Sequence, residues 1–337
     1  MGRSSFFLAA LICLAVTASQ ADEVYVTNEK DNTISVIDTR SLGLIRTIKV
    51  GKRPRGITFS RDFTKLFVCA SDSDAVQVYD VATATLLFDL PSGTDPEQFA
   101  LSNDGTRLYV ANEDNAVTTV VDVDARKVIK QIDVGIEPEG MAVSPDDRLV
   151  VTTSETTNMA HLIDAHTYEV IANILVDQRP RHAEFTPDGQ HLWVSSEIGG
   201  TVSVIDLAKH AVEHKITFEI PGVSQESIQP VGIAITRDGR RAYVALGPAN
   251  RVAVIDVQSK KVTHYLLVGQ RVWHLALTQK EDLLFTTNGV SGDVTVIDTN
   301  TLRPLKSIKV GRYPWGVAVR TLPEHTAGAT PVVPAAQ

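Results

Sequence analysis

The feature that most constrains this chain is a repeat. A short apolar run ending in Asp recurs seven times, closing at Ile37-Asp38, Tyr79-Asp80, Val121-Asp122, Ile163-Asp164, Ile205-Asp206, Ile255-Asp256 and Ile297-Asp298. Successive spacings are 42, 42, 42, 42, 50 and 42 residues. Within each period four alternating apolar runs are parted by turn residues such as Asn103-Asp104-Gly105 and Pro187-Asp188-Gly189. Four short strands per period of about forty residues is the pattern of a β-propeller blade. An open solenoid would need atypical capping repeats at both ends, and the ends do something else. The repeat opens at Val24 with the second, third and fourth strands of a blade and closes at Trp315–Arg320 with a first strand. Joined, the two fragments complete one blade and remove the free sheet edges that would invite aggregation. The fold predicted for residues 22–322 is all-β: a seven-bladed β-propeller of four-stranded antiparallel blades. The eight extra residues of the long period fall in Phe218–Gln229, predicted as a lengthened loop between two blades.

The segments outside the repeat read differently. Arg3, the apolar run Phe6–Ala18 and the small residues around Ala21 form a secretory signal pattern over residues 1–21, which predicts a periplasmic protein. Residues 323–337 are rich in Pro, Ala and Thr and predict a disordered tail. The whole chain carries 32 Lys+Arg against 40 Asp+Glu, a net charge of −8 that becomes −9 without Arg3. That balance argues against nucleic acid as a partner, and no run after the signal is long enough to span a membrane. Cys69 is the only cysteine after the signal, which excludes an intramolecular disulfide, a CxxC pair, a cysteine zinc site and a CxxCH haem attachment.

The Tyr25-Val26-Thr27-Asn28 strand, the VIDTxTxxxxxxIxVGxxPxG run and the 42-residue period resemble the YVTN-type β-propellers, over essentially all of Val24–Arg320. The resemblance is strongest to the exported seven-repeat proteins associated with PQQ-dependent alcohol catabolism. It implies a non-catalytic binding or scaffold protein, with a periplasmic quinoprotein dehydrogenase or a transport component as partner. It implies no cofactor resident in the chain. PQQ is the candidate ligand, met directly or through a partner enzyme.

Chemistry in such a ring must come from departures from the repeat. The seven aspartates serve every blade, and at strand ends they suit backbone N–H groups of the following turn. The loop entering the innermost strand carries Arg53 and Arg55, Asp95 and Glu97, Glu137 and Glu139, Arg179 and Arg181, Arg271 and Trp273, and Tyr313 and Trp315. These loops, and those bearing Glu29, Glu113, Glu155 and Glu197, should ring one mouth of the central channel with charge sorted by sector. Arg55, Arg181 and Arg271, with Trp273 and Trp315 as flat surfaces, form a candidate site for a small anionic ligand. One position further on, four blades have Gly, one has Gln98, and two have His182 and His274. Two residues beyond, six blades have Ala or Thr and one has Glu184. His182 and Glu184 share a strand face, and a carboxylate in a place built for a methyl is costly unless paired. His182, Glu184 and His274 join the candidate ligand-binding residues, and an enzyme using the same three, either a lactonase-like hydrolase or a haem d1-type redox protein, is the alternative function. No catalytic residue and no metal ligand is assigned on the leading reading.

Overall fold

The computed structural model describes residues 22–321; the predicted signal segment and tail lie outside the described residues. Twenty-eight strands form seven four-stranded antiparallel sheets, joined otherwise by turns and three single-turn 3-10 helices. The innermost strands pack one against the next in a closed circuit around an axis. Blade 1 is the closure blade: Glu23–Asn28 lies between Thr33–Asp38 and Pro314–Arg320. Its register pairs Glu23 with Arg320, Tyr25 with Ala318 and Val26 with Val317, and Arg320 Nη1 donates to Glu23 Oε2 at 3.0 Å. Blades 2 to 7 then follow in chain order, beginning at Pro54, Pro96, Pro138, Pro180, Pro230 and Val272.

The apolar runs are nearly continuous because each second strand is buried on both faces. Alternate residues of a strand point opposite ways, so one strand feeds two cores. Val24 and Val26 pack against Phe285, Val294 and Val296 of blade 7, whereas Tyr25 packs against Phe59, Leu66 and Val68 of blade 2. The hydrophobic core is thus divided among the seven gaps between blades. Outermost strands bury chiefly their penultimate residue, such as Leu90, Ile132, Ile174 or Leu266.

All seven repeated aspartates accept backbone N–H bonds from the turn ahead, for example from Ser41, Thr83, Ala125, Thr167, Lys209, Ser259 and Thr301. The long loop between blades 5 and 6 lies where the spacing placed it. Its Phe218 and Ile228 plug the interblade core beside Trp193, and the following innermost strand shrinks to Ile233–Ile235.

Removing the closure strand should open the ring. A chain ending at Pro314 leaves Glu23–Asn28 as a free edge, and its thermal transition should broaden or give way to aggregation. An unchanged cooperative melt, followed by calorimetry, would count against closure through this strand.

Candidate functional site

Each innermost strand presents residues toward the axis at successive levels. At the outer level stands a residue in left-handed backbone: Arg53, Asp95, Glu137, Arg179, Arg271 and Tyr313 have φ between 50° and 59°. That conformation is uncommon for residues with side chains. Here it turns the chain so that this residue and the one two places on both face the mouth, as Arg53 and Arg55 do in bonding one carboxylate, Glu97. The next level holds Arg55, Glu97, Glu139, Arg181, Val231, Trp273 and Trp315.

The mouth is filled by ion pairs that cross from blade to blade. Arg55 bonds Glu97 and lies 3.2 Å from Glu29; Arg53 bonds Asp95 and lies 2.7 Å from Glu97. Arg181 bonds Glu155 and lies 3.1 Å from Glu139 and 3.6 Å from Glu197. Arg179 reaches Glu155 at 2.8 Å and Glu197 at 3.2 Å, and Arg271 bonds Glu197 and Gln229. The arginines expected to await an anionic ligand do converge, but Arg55, Arg181 and Arg271 are each already engaged by carboxylates. The loops are sorted by charge, yet the side chains reach sideways into the neighbouring sector. Arg271 and Arg181 also lie over Trp273, at 4.1 and 5.6 Å from its ring centre, and Arg55 lies 5.4 Å from that of Trp315. The mouth is a plug of paired charges in which an anionic ligand would compete with the glutamates for each arginine.

Beneath the plug comes a level of glycine interrupted three times: Gly56, Gln98, Gly140, His182, Gly232, His274 and Gly316. Backbones crowd here, since a Cβ on Gly140 would stand 2.2 Å from the Arg181 carbonyl oxygen and one on Gly232 2.7 Å from that of Trp273. The rings of His182 and His274 have centres 5.7 Å apart, and His274 lies 4.2 Å from the Trp315 ring. Gln98 Nε2 is 3.5 Å from His274 Nε2. Sequence reasoning noted Gln98 as a departure from glycine but did not count it among the site residues; the shared ring position was the available signal.

One level further the channel is wetter. Thr58, Ala100, Ala142, Ala234, Ala276 and Ala318 are all partly exposed. Glu184 takes the seventh place, its side chain 37% exposed, with Oε2 at 3.5 Å from His182 Nε2. Both nitrogens of His182 are buried without a hydrogen-bond partner among the described residues. A cavity of about 860 Å³ lies on this same face, among turns that follow the innermost strands, where Phe63, Arg237, Lys280, Arg320 and Thr321 line it. None of its lining residues belongs to the alanine level, and Glu184 reaches solvent through that level, where its neighbours in the other blades are partly exposed.

The carboxylates of Asp95, Glu97 and Glu113 lie within 4.8 Å of one another, but Arg53 already bonds the first two. His210 lies in a turn, and His214 is exposed on an outermost strand; they form no joint site.

Burial sets the electrostatics. Glu97 and Glu139 are pushed up by desolvation, against the pull of their arginines. Burial, with Glu139 adding repulsion against the attraction of Arg181, pushes Glu155 up to about 7. His274 is held well below the usual imidazole range by burial first, then by His182, Arg181 and Arg55, so it is neutral at pH 7.

Comparison with known families and structures gives two partial matches. Residues 176–312 match the family described as "Lactonase, 7-bladed beta-propeller", and residues 62–181 match the "Cytochrome D1 heme domain". No curated protein matches the chain. Among solved structures, Kuenenia stuttgartiensis hydrazine synthase is similar at 18% identity, covering 88% of this chain and 99% of that one, with TM-score 0.76. A candidate 6-phosphogluconolactonase of Bacteroides fragilis gives 17%, 90%, 99% and 0.75. Dihydro-heme d1 dehydrogenase NirN gives 17%, 90%, 78% and 0.67. At these identities the structures show the fold. The two family matches, to a lactonase and to a haem-bearing domain, overturn the expectation of a non-catalytic scaffold and favour an enzyme-like or redox propeller.

The plug carries two checks. Arg181 is 5% exposed, so Arg181→Ala leaves the buried Glu139 without its cation and takes one partner from Glu155 and Glu197, and should cost about 3–5 kcal/mol of stability, read from denaturant unfolding. The second concerns acidity. A carboxyl raised in the fold binds its proton more tightly there than in the unfolded chain, so its stabilising effect is complete below the unfolded value and fades as pH rises toward 7. His274 acts the other way, withdrawing stability as pH falls below about 6.5. Comparing Glu155→Gln with the parent isolates the first effect: the parent should lose more Tm than the variant between pH 5 and 8. Parallel profiles would contradict it.

Proposed function

We propose that this chain is a hydrolytic propeller enzyme acting on a small cyclic ester, with His182 and Glu184 activating the water that opens the ring. The observation that carries the reading is the paired departure in blade 5. Where other blades have methyl or hydroxyl groups, a partly exposed carboxylate stands 3.5 Å from an imidazole. A short closing movement of Glu184 onto His182 Nε2 would orient the ring and leave Nδ1 to take the proton of water, the division of labour seen wherever a carboxylate backs a catalytic imidazole. The hydroxide equivalent adds to the lactone carbonyl carbon, the ring C–O bond breaks, and the proton passes to the leaving alkoxide to give a hydroxy acid.

The two family matches divide in a useful way. The lactonase match spans His182, Glu184 and His274, whereas the haem-domain match ends at Arg181, before all three. A haem d1 also fits poorly with the residues present. Its carboxylates would need free cations at the mouth, and Arg55, Arg181 and Arg271 are bonded to glutamates. PQQ as an anionic ligand meets the same competition. The Met1–Ala21 pattern and the YVTN-type repeat support export, and among the described residues no helix is long and apolar enough to cross a membrane.

The reading is tested with γ-butyrolactone, δ-valerolactone and gluconolactone as probes in a pH-stat assay. At least one should be opened above the background rate. His182→Gly and Glu184→Ala restore the repeat consensus and should keep the fold, while turnover should fall about 10²-fold or more with loss of the base. Turnover unchanged in both variants would remove the pair from the mechanism.

A further inference from the structure

Gln98, His182 and His274 interrupt the glycine level in blades 3, 5 and 7. Each is preceded in the ring by a blade with glycine, and the missing Cβ makes the room. A Cβ on Gly56 would stand 3.2 Å from Gln98 Cα, one on Gly140 2.2 Å from the Arg181 carbonyl oxygen, and one on Gly232 2.8 Å from His274 Cα. Blades 3, 5 and 7 stand two, two and three places apart around the seven-blade circle. Three polar side chains thus enter one buried level from three directions. His274 and Gln98 are each 8% exposed, and His182 Nδ1 and Nε2 have no hydrogen-bond partner among the described residues. Buried polar nitrogens left in this way call for a ligand.

We propose that Gln98, His182 and His274 form an axial binding site for a divalent first-row transition metal ion of the zinc type. Imidazole and amide oxygen suit such ions. With Zn–N about 2.0–2.1 Å, two imidazoles sharing one ion have ring centres roughly 5–6 Å apart, and His182 and His274 stand at 5.7 Å. Their rings are inclined at 59°, as rings converging on a shared point can be. Glu184 Oε2 stands 3.5 Å from His182 Nε2 with no hydrogen bond formed, close enough to back the histidine once a metal holds its other nitrogen. Gln98 presents its amide to His274, and rotation of that amide brings oxygen rather than nitrogen to the centre.

The site's catalytic consequence rests on the hydrolase reading: an ion on His182 Nδ1 polarises the water that the imidazole would otherwise deprotonate. The binding itself does not depend on that reading. It is tested by titrating the purified, chelator-treated protein with Co²⁺ and following visible absorption, then displacing it with Zn²⁺ and counting metal by mass spectrometry. One ion per chain is expected, with intense low-coordinate Co²⁺ bands that Zn²⁺ abolishes. Gln98→Gly and His274→Gly match the repeat consensus, and each should weaken binding at least tenfold. Metal bound with equal affinity by both variants, or no stoichiometric Co²⁺ binding by the parent, overturns the proposal. Lactone turnover that persists after chelation, with no metal bound, overturns it while leaving the hydrolase intact. Absence of turnover in a protein that binds one ion leaves the site standing and removes the hydrolase reading.

Discussion

The whole structure depends on the close approach of seven innermost strands around one axis. Where they meet, a β-carbon on Gly140, Gly232 or Gly316 would collide with the neighbouring blade and one on Gly56 would crowd it, so glycine is favoured at that level and its absence elsewhere is informative. Ring closure sets the spacing. Pairing of Glu23–Asn28 with Pro314–Arg320 holds the circuit shut, and the interblade cores then share one geometry that every period must satisfy. A blade can depart from the pattern only where its neighbour gives room, which is what Gly56, Gly140 and Gly232 do for Gln98, His182 and His274.

The same axial crowding explains why the two ends of the channel differ. At the mouth, long arginine and glutamate side chains arrive from every direction and find each other before any ligand can. The pairs are buried, and a buried pair contributes little net stability while being costly to break. The plug is therefore a seal whose parts are mutually dependent. Below the histidine level the repeat supplies methyl groups instead, and small side chains leave the lumen accessible. Only blade 5 puts a carboxylate there, Glu184.

Much of the fold was legible because it follows from arithmetic. The 42-residue period fixed the blade count, the split blade announced closure, and the repeated Asp read as a turn acceptor proved to be one in all seven blades. The location of the extra loop followed from the single spacing of 50. The site was legible in part. His182, Glu184 and His274 stood out as departures from Gly and Ala, and the structure brings the first two within 3.5 Å. Arg55, Arg181 and Arg271 were recognised as neighbours, but their engagement was not, because a sequence repeat records which residue each blade has and not how far a long side chain leans into the next. Gln98 was undervalued for a related reason. Its meaning comes from standing in blade 3 when the histidines stand in blades 5 and 7. The non-catalytic reading came from family resemblance alone, and the lactonase and haem-domain matches correct it.

The central claim is that reaction occurs at His182 and Glu184 and is reached from the alanine level, not through the charged mouth. The rate of lactone opening by Ala234→Leu, set beside that of Tyr313→Ala, tests it most directly. Ala234 borders the lumen in the blade next to Glu184, and Tyr313 stands at the rim of the plug. The account predicts that Ala234→Leu loses turnover with its melting temperature unchanged, while Tyr313→Ala keeps the parent rate. Full activity in Ala234→Leu together with loss in Tyr313→Ala would place the entrance at the mouth and contradict it.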